Sequence, residues 1–240
     1  MPGESNNVSE TQQYAVAAHL APFLVWIVLM VAFDTFGNPS AGVYALQTGI
    51  GFLLFVILRP WRWYAAMPRG HLGLSLSVGV LVFLVWVLPE IRWGETLSLV
   101  QEIYLRYGIL PLVKLPQETA SSVYAPETCG WLLTGVRLAG SAFVIAGIEE
   151  FFWGGFLYRW LIEKPFTNVR LDEFDLQAFF LAALIFGFEH QRWVAGMIAG
   201  ACYAYLMIRT RSIWTACIAH CTTNLLLGIF VIATRSYHFW

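Results

Sequence analysis

The sequence predicts an all-α polytopic transmembrane bundle, and three observations carry that prediction. Hydrophobic residues make up 58% of the 240-residue chain and charged residues only 12%, about half the ~25% usual in soluble domains. Apolar runs close to the ~20 residues that a helix needs to cross a bilayer core recur along the whole chain. Lys and Arg gather on alternate connections between those runs, which is the charge asymmetry of an inserted membrane protein. The formal net charge of −1 offers no basic footprint for nucleic acid.

Taken in order, residues 1–14 are polar and hold no Lys or Arg, so they lack the positive n-region of a secretory signal. The run 15–36 is therefore read as a retained first span, with Pro22 tolerated near its start and Asp34 and Gly37-Asn38-Pro39 closing it. Spans at 41–58 and 71–88 follow. The segment 90–128 is mixed, and Ile91-Arg92-Trp93 and 104–112 suit the interface, where Trp and Tyr collect. The run 129–161 is too long for one straight crossing, and Gly147 and Gly154-Gly155 are places where it could bend or break. Spans at 176–190, 193–208 and 213–233 complete a count of about seven, or eight if the fourth run breaks. The chain divides into a polar tail at 1–14, N-terminal spans with an interfacial segment at 15–128, and a motif-bearing region at 129–240.

Arg59, Arg62 and Arg69, then Arg159, Lys164 and Arg170, then Arg209 and Arg211 all fall on the N-terminal side of such a bundle. Cationic short loops mark the cytoplasmic side, so the N-terminus is expected in the cytoplasm. Gly196, Gly200 and Ala204 form a small-residue face that lets helices approach closely, read first as packing and second as a subunit interface. Cys129, Cys202, Cys217 and Cys221 form no CxxC pair; they read as small hydrophobes rather than zinc ligands.

Ionisable groups at membrane depth cost about 2.5–3.5 kcal/mol or more each and mark functional sites. Three sets stand out. Glu149 and Glu150 are adjacent and project about 100° apart on a helix, so one can serve as a base while the other braces; the bland alternative is a charged span end. Phe186 and His190 lie four apart on one helix face, although a lone histidine there also suits an interfacial position, and Glu189 with Arg192 reads as a surface pair. His220 and Asn224 are likewise four apart, well inside the last run; the structural alternative is hydrogen bonding between helices. Two carboxylates, two imidazoles and a carboxamide are the parts needed to activate a water and hold an oxyanion.

In order and spacing, the three sets resemble the CAAX-processing and bacteriocin-processing family of glutamate-type intramembrane endopeptidases. That family carries EExxxR, FxxxH and HxxxN, matched here by Glu149-Glu150, by Phe186 to His190 and by His220 to Asn224, over roughly residues 130–235. The wording around the acids, with FGFEHQRWVAGMIAG and the final His-Phe-Trp, is similar to the CAAX prenyl protease-related branch of bacteria with exosortase-type sorting systems. The resemblance implies peptide hydrolysis near the C-terminus of membrane-anchored or sorting-signal proteins in a bacterial inner membrane. It also implies Glu149 with His190 as the water-activating base, His220 with Asn224 as oxyanion donors, and Glu150 as support.

No cofactor or metal is implied, and the expected partners are the lipid bilayer and a membrane-anchored protein or peptide. The family arginine falls at position 154, which is Gly154 here; Arg159 is no replacement, standing ten residues beyond Glu149, about 15 Å along a helix. Two rivals stay open: a zinc hydrolase using Glu149, His190 and His220, and a non-catalytic membrane scaffold favoured by Gly154. A ruler of 1.5 Å per residue also places His190 toward the outer side and Glu149 and His220 toward the inner, so a tilted, broken or shortened helix is required if these groups meet.

Overall fold

A computed structural model describes residues 2–37, 39–67, 69–91, 96–112 and 122–240. Asn38, expected to help close the first span, and Arg92 and Trp93, expected at the interface, lie outside the described residues. The described residues form eight helices: α1 (Pro2–Phe36), α2 (Ala41–Leu58), α3 (Leu72–Val87), α4 (Leu99–Tyr107), α5 (Pro126–Ile162), α6 (Leu176–Glu189), α7 (Trp193–Thr210) and α8 (Ile213–Thr234). Among the described residues, five helical stretches are long and apolar enough to cross a membrane: Glu10–Phe36, Ala41–Trp63, Leu72–Glu90, Pro126–Ile162 and Ile213–Thr234. These make the chain an integral membrane protein.

Five is fewer than the seven spans expected. Helix α6 falls short in length, at 14 residues, and α7 spends much of its length on Gly, Ala and Tyr. Helix α1 also starts upstream of position 15, at Pro2, a residue suited to a first helical turn. Caps fix other starts: Ser40 Oγ accepts from the Val43 N–H at 3.2 Å at the head of α2, and Asp175 Oδ1 accepts from the Ala178 N–H at 2.8 Å at the head of α6. Ser98 and Gln101 form a reciprocal capping box on α4.

Neither Gly147 nor Gly154-Gly155 breaks the fourth run, so no eighth span arises from it. Helix α5 instead widens twice into π geometry, at Gly140–Ile145 and at Trp153–Tyr158. Such bulges absorb an extra residue without ending the helix and often occur at functional sites. Between them sits the α-helical turn Ala146–Phe152, which carries both glutamates. Aromatic packing fixes its rotation: Phe152 stacks on Phe23 of α1 with ring centroids 4.0 Å apart, and Phe151 meets Phe55 of α2 at 5.3 Å and Trp214 of α8 at 5.5 Å.

The small-residue positions serve packing within the chain. A Cβ on Gly200 would stand 3.0 Å from the Phe186 ring, and one on Gly196 would stand 3.1 Å from the Gly187 backbone. The Gly196–Gly200 face of α7 therefore seats α6 through the very residues of the Phe186–His190 set. Helices α3 and α8 cross just as closely, since a Cβ on Gly79 would come within 2.5 Å of the Ala219 carbonyl, next to His220. All four cysteines are free.

Candidate active site

The turn bearing Glu149 and Glu150 faces α8, and His220 fills the angle between the two acids. His220 Nδ1 donates to Glu150 Oε1 at 2.9 Å, while its Nε2 lies 3.7 Å from Glu149 Oε2. One imidazole thus meets two side chains that diverge from the same helix turn. The ring is held from behind by Tyr203 of α7, stacked at 4.7 Å with an interplanar angle of 19°. Tyr203 donates its hydroxyl to Thr223 Oγ1 at 2.8 Å, and Thr223 donates to the Gly79 carbonyl at 2.9 Å. The histidine is therefore positioned by three other helices.

A cavity of about 420 Å³ opens beside this pair, lined among others by Glu149, His190, His220 and Asn224. Glu150 is not among its walls; it borders a separate space of about 20 Å³ with Gly154 and Tyr158. The two acids consequently face different surroundings: Glu149 looks into the cavity, and Glu150 stands behind His220. Glu149 is 5% exposed, and its Oε2 is buried without a hydrogen-bond partner. A buried carboxylate oxygen in that condition costs free energy unless something occupies the space before it, and a cavity is the place where a water or a substrate supplies that partner.

His190 caps the C-terminal end of α6. Its Nδ1 lies 2.9 Å from the Phe186 carbonyl; a carbonyl only accepts, so Nδ1 carries the proton and neutral His190 presents a bare Nε2. Trp86 of α3 stands edge-on to the ring at 5.4 Å, and Phe186 lies at 4.9 Å. Helix α6 rises only about 21 Å over its 14 residues, short of the ~30 Å bilayer core. Its end nevertheless brings His190 to the cavity that Glu149 and His220 also line. Asn224 donates through Nδ2 to the Ser141 carbonyl at 3.0 Å, inside the first π segment of α5. It fastens α8 to the bulge while lining the cavity.

Glu189 was read from the sequence as half of a surface pair with Arg192, and that pairing does not form. Arg192 is turned away: its Nε donates to Glu90 Oε1 and its Nη2 to Glu90 Oε2 at 2.9 Å, and its Nη1 donates to the His238 carbonyl at 3.2 Å. Glu189 is left lining the cavity with a buried, unpartnered Oε2, close enough to Glu149 for the two carboxylates to interact electrostatically. The only local clue was its place beside His190. At the other end of the cavity stand Arg137, Tyr44, Tyr124 and Trp240. Burial pushes the Tyr124 phenol above its ordinary value, with the Arg137 guanidinium pulling the other way.

Arg159 does not reach the acids. It donates through Nε and Nη2 to the Val169 carbonyl at 2.9 and 2.7 Å, and through Nη1 to the Gly155 carbonyl at 3.1 Å. Gly154 is closed in, since a Cβ there would lie 3.0 Å from Met207 Sδ. Among the described residues, the acids make no ion pair with Arg or Lys, and His220 is the group that bridges them. Nor, among the described residues, are three His, Cys, Asp or Glu side chains grouped to hold a metal ion, so the zinc alternative gains no geometric support.

Together, the fold and this cavity define a helical membrane protein with a buried Glu–Glu–His centre between its helices. Residues 130–226 match the model of the family described as type II CAAX prenyl endopeptidase Rce1-like. Comparison with curated proteins and with solved structures gave no match.

Proposed function

We propose that the chain is an intramembrane endopeptidase that hydrolyses a peptide bond near the C-terminus of a membrane-anchored or sorting-signal protein. The observation that carries this reading is that Glu149, buried and with an Oε2 that finds no hydrogen-bond partner, lines a cavity shared with His190, His220 and Asn224. Glu149 takes a proton from a water on the scissile carbonyl, and the bare Nε2 of His190 orients that water or shares the proton. Glu149 then returns the proton to the leaving amine. His220 is held through Nδ1 by Glu150; protonated on Nε2 in this role, it donates to the tetrahedral oxyanion, and Asn224 assists after exchanging its bond to Ser141. The host is a bacterial inner membrane, with the N-terminus cytoplasmic as the cationic loops favour.

Co-expression with membrane-anchored candidates, followed by mass spectrometry of their termini, tests the reading. The Glu149→Gln variant should fold normally and lose about 10²–10⁴-fold in rate, the usual cost of a missing general base. Undiminished cleavage by that variant removes Glu149 from the mechanism.

A further inference from the structure

The mechanism above leaves one charged wall of the cavity unused. Arg137 lies on α5, twelve residues before Glu149, and lines the cavity that Glu149 enters. Its guanidinium carbon sits 4.3 Å from the ring of Tyr44, 4.8 Å from that of Tyr124 and 5.9 Å from that of Trp240. Its Nε is buried and finds no acceptor, and among the described residues it makes no ion pair. Asp34 also lines the cavity, is exposed, and does not pair with it. The other cation on this wall, Arg192, is fully engaged with Glu90. Aromatic faces hold a cation in place but neutralise none of its charge. Their orientation is itself braced: Tyr44 and Tyr124 meet edge-on at 5.7 Å, and the Tyr44 hydroxyl donates to the Arg137 carbonyl at 3.5 Å. A preoriented guanidinium with donors to spare is matched to a carboxylate, which it can bind through two parallel hydrogen bonds.

We propose that Arg137 is a specificity-determining residue that binds a carboxylate of the substrate segment lying between the Glu149–His190 part of the cavity and its aromatic wall. The proposal rests on the proteolytic reading for its substrate and deepens it. Twelve residues of helix correspond to a rise of about 18 Å, which extended chain covers in roughly five residues. The carboxylate therefore belongs a few residues beyond the scissile bond, either as the α-carboxylate of a chain end or as an Asp or Glu side chain.

The test measures binding by the full chain in lipid nanodiscs, in the Glu149→Gln background so that no cleavage intervenes. Three versions of one apolar nine-residue peptide serve as probes: a C-terminal acid, its C-terminal amide, and an amide carrying Glu at the penultimate position. The acid should bind about tenfold tighter than the plain amide, and Arg137→Gln should bring the two within about twofold. Arg137→Lys, which keeps the charge and loses the fork, should retain part of the preference; it also serves if Arg137→Gln fails to fold. A Glu-bearing amide that binds as tightly as the acid shows that a side-chain carboxylate serves as well as the chain end, whereas one that binds like the plain amide assigns the recognised group to the chain end. A purely structural role for Arg137 would weaken all three probes alike. That result, equal affinity of all three for the Arg137 protein, or no measurable binding of any probe overturns the proposal. Because binding is read without turnover, absence of proteolysis by the Glu149 protein counts against the peptidase reading alone.

Discussion

Inserting the family arginine as Gly154→Arg separates charge compensation from packing. From the sequence, that substitution places a cation four residues beyond Glu150, on nearly the same helix face, which argues for improved activity or stability. The structure argues the reverse. A Cβ at this position already stands 3.0 Å from Met207 Sδ, 3.4 Å from its Cε and 3.5 Å from Ile213 Cδ1, and Met207 and Ile213 are both 0% exposed. The adjoining space beside Glu150 is about 20 Å³, enough for a single water and no more. Three methylenes and a guanidinium must therefore displace packed side chains, at about 1–3 kcal/mol for overpacking alone. Glu150 is already bound by His220, so the new cation competes for its partner and is left partly uncompensated, which raises the total to roughly 3 kcal/mol or more. With about 2–4 °C lost per kcal/mol in a chain of this size, Tm should fall by roughly 6–12 °C. Gly154→Ala is the control: the flexible Met207 end yields to one methyl, and stability should stay within about 1 kcal/mol of the parent. Thermal unfolding followed by circular dichroism or tryptophan fluorescence in a fixed detergent reads both variants. A Gly154→Arg protein that melts within about 2 °C of the parent and cleaves faster would refute the packing argument.

Three further outcomes follow from the same geometry. Glu150→Gln keeps an acceptor for His220 Nδ1 but removes the charge, so the rate should fall about tenfold, well short of the loss in Glu149→Gln; equal losses in kcat would show that the two acids do not divide the work. Glu189→Gln removes a second carboxylate from the cavity without changing its shape, and should leave the fold intact while displacing the pH profile of kcat; an unaltered profile would mean that Glu189 does not act on Glu149. Arg159→Met strips both Arg159 donors from the Val169 carbonyl, worth about 1–3 kcal/mol when left buried and unpaired, while the Gly155 carbonyl keeps the Tyr64 hydroxyl, so the protein should melt earlier without a specific loss in kcat of the folded fraction, and a selective loss of kcat would instead tie Arg159 to the chemistry.

The parts of this architecture that were legible from the sequence depend on local spacing. Apolar runs gave α2, α3 and α5 to α8 at nearly their final bounds, though not the start of α1 at Pro2, and the four-residue spacing of His220 and Asn224 placed both on one face of α8. What was not legible depends on partners distant in the chain. Glu189 could be dismissed as a surface residue because Arg192 stood three positions away; the arginine is instead bound to Glu90, 102 residues upstream, and that contact frees Glu189 for the cavity. The cradle of Arg137 draws Tyr44 from α2, Tyr124 from the turn before α5 and Trp240 from the last residue, so no window of sequence contains it. The π segments are equally non-local, since the carbonyl of Ser141 in the first one finds its side-chain partner in Asn224, 83 residues later.

Gly154 shows how the two kinds of information combine. The missing arginine was visible in the sequence as a doubt about charge, and position alone gave no substitute. In the folded chain, the space an arginine would need is taken by Met207 and Ile213, while the pair it would serve is bridged by His220 from α8. The acids therefore take their partner from across the bundle rather than from their own helix. Displacing α8 relative to α5 would then separate Glu150 from His220 and loosen Asn224 from Ser141 in one movement, so the closely packed Gly79–Ala219 crossing beside His220 governs the site as directly as any residue that lines it.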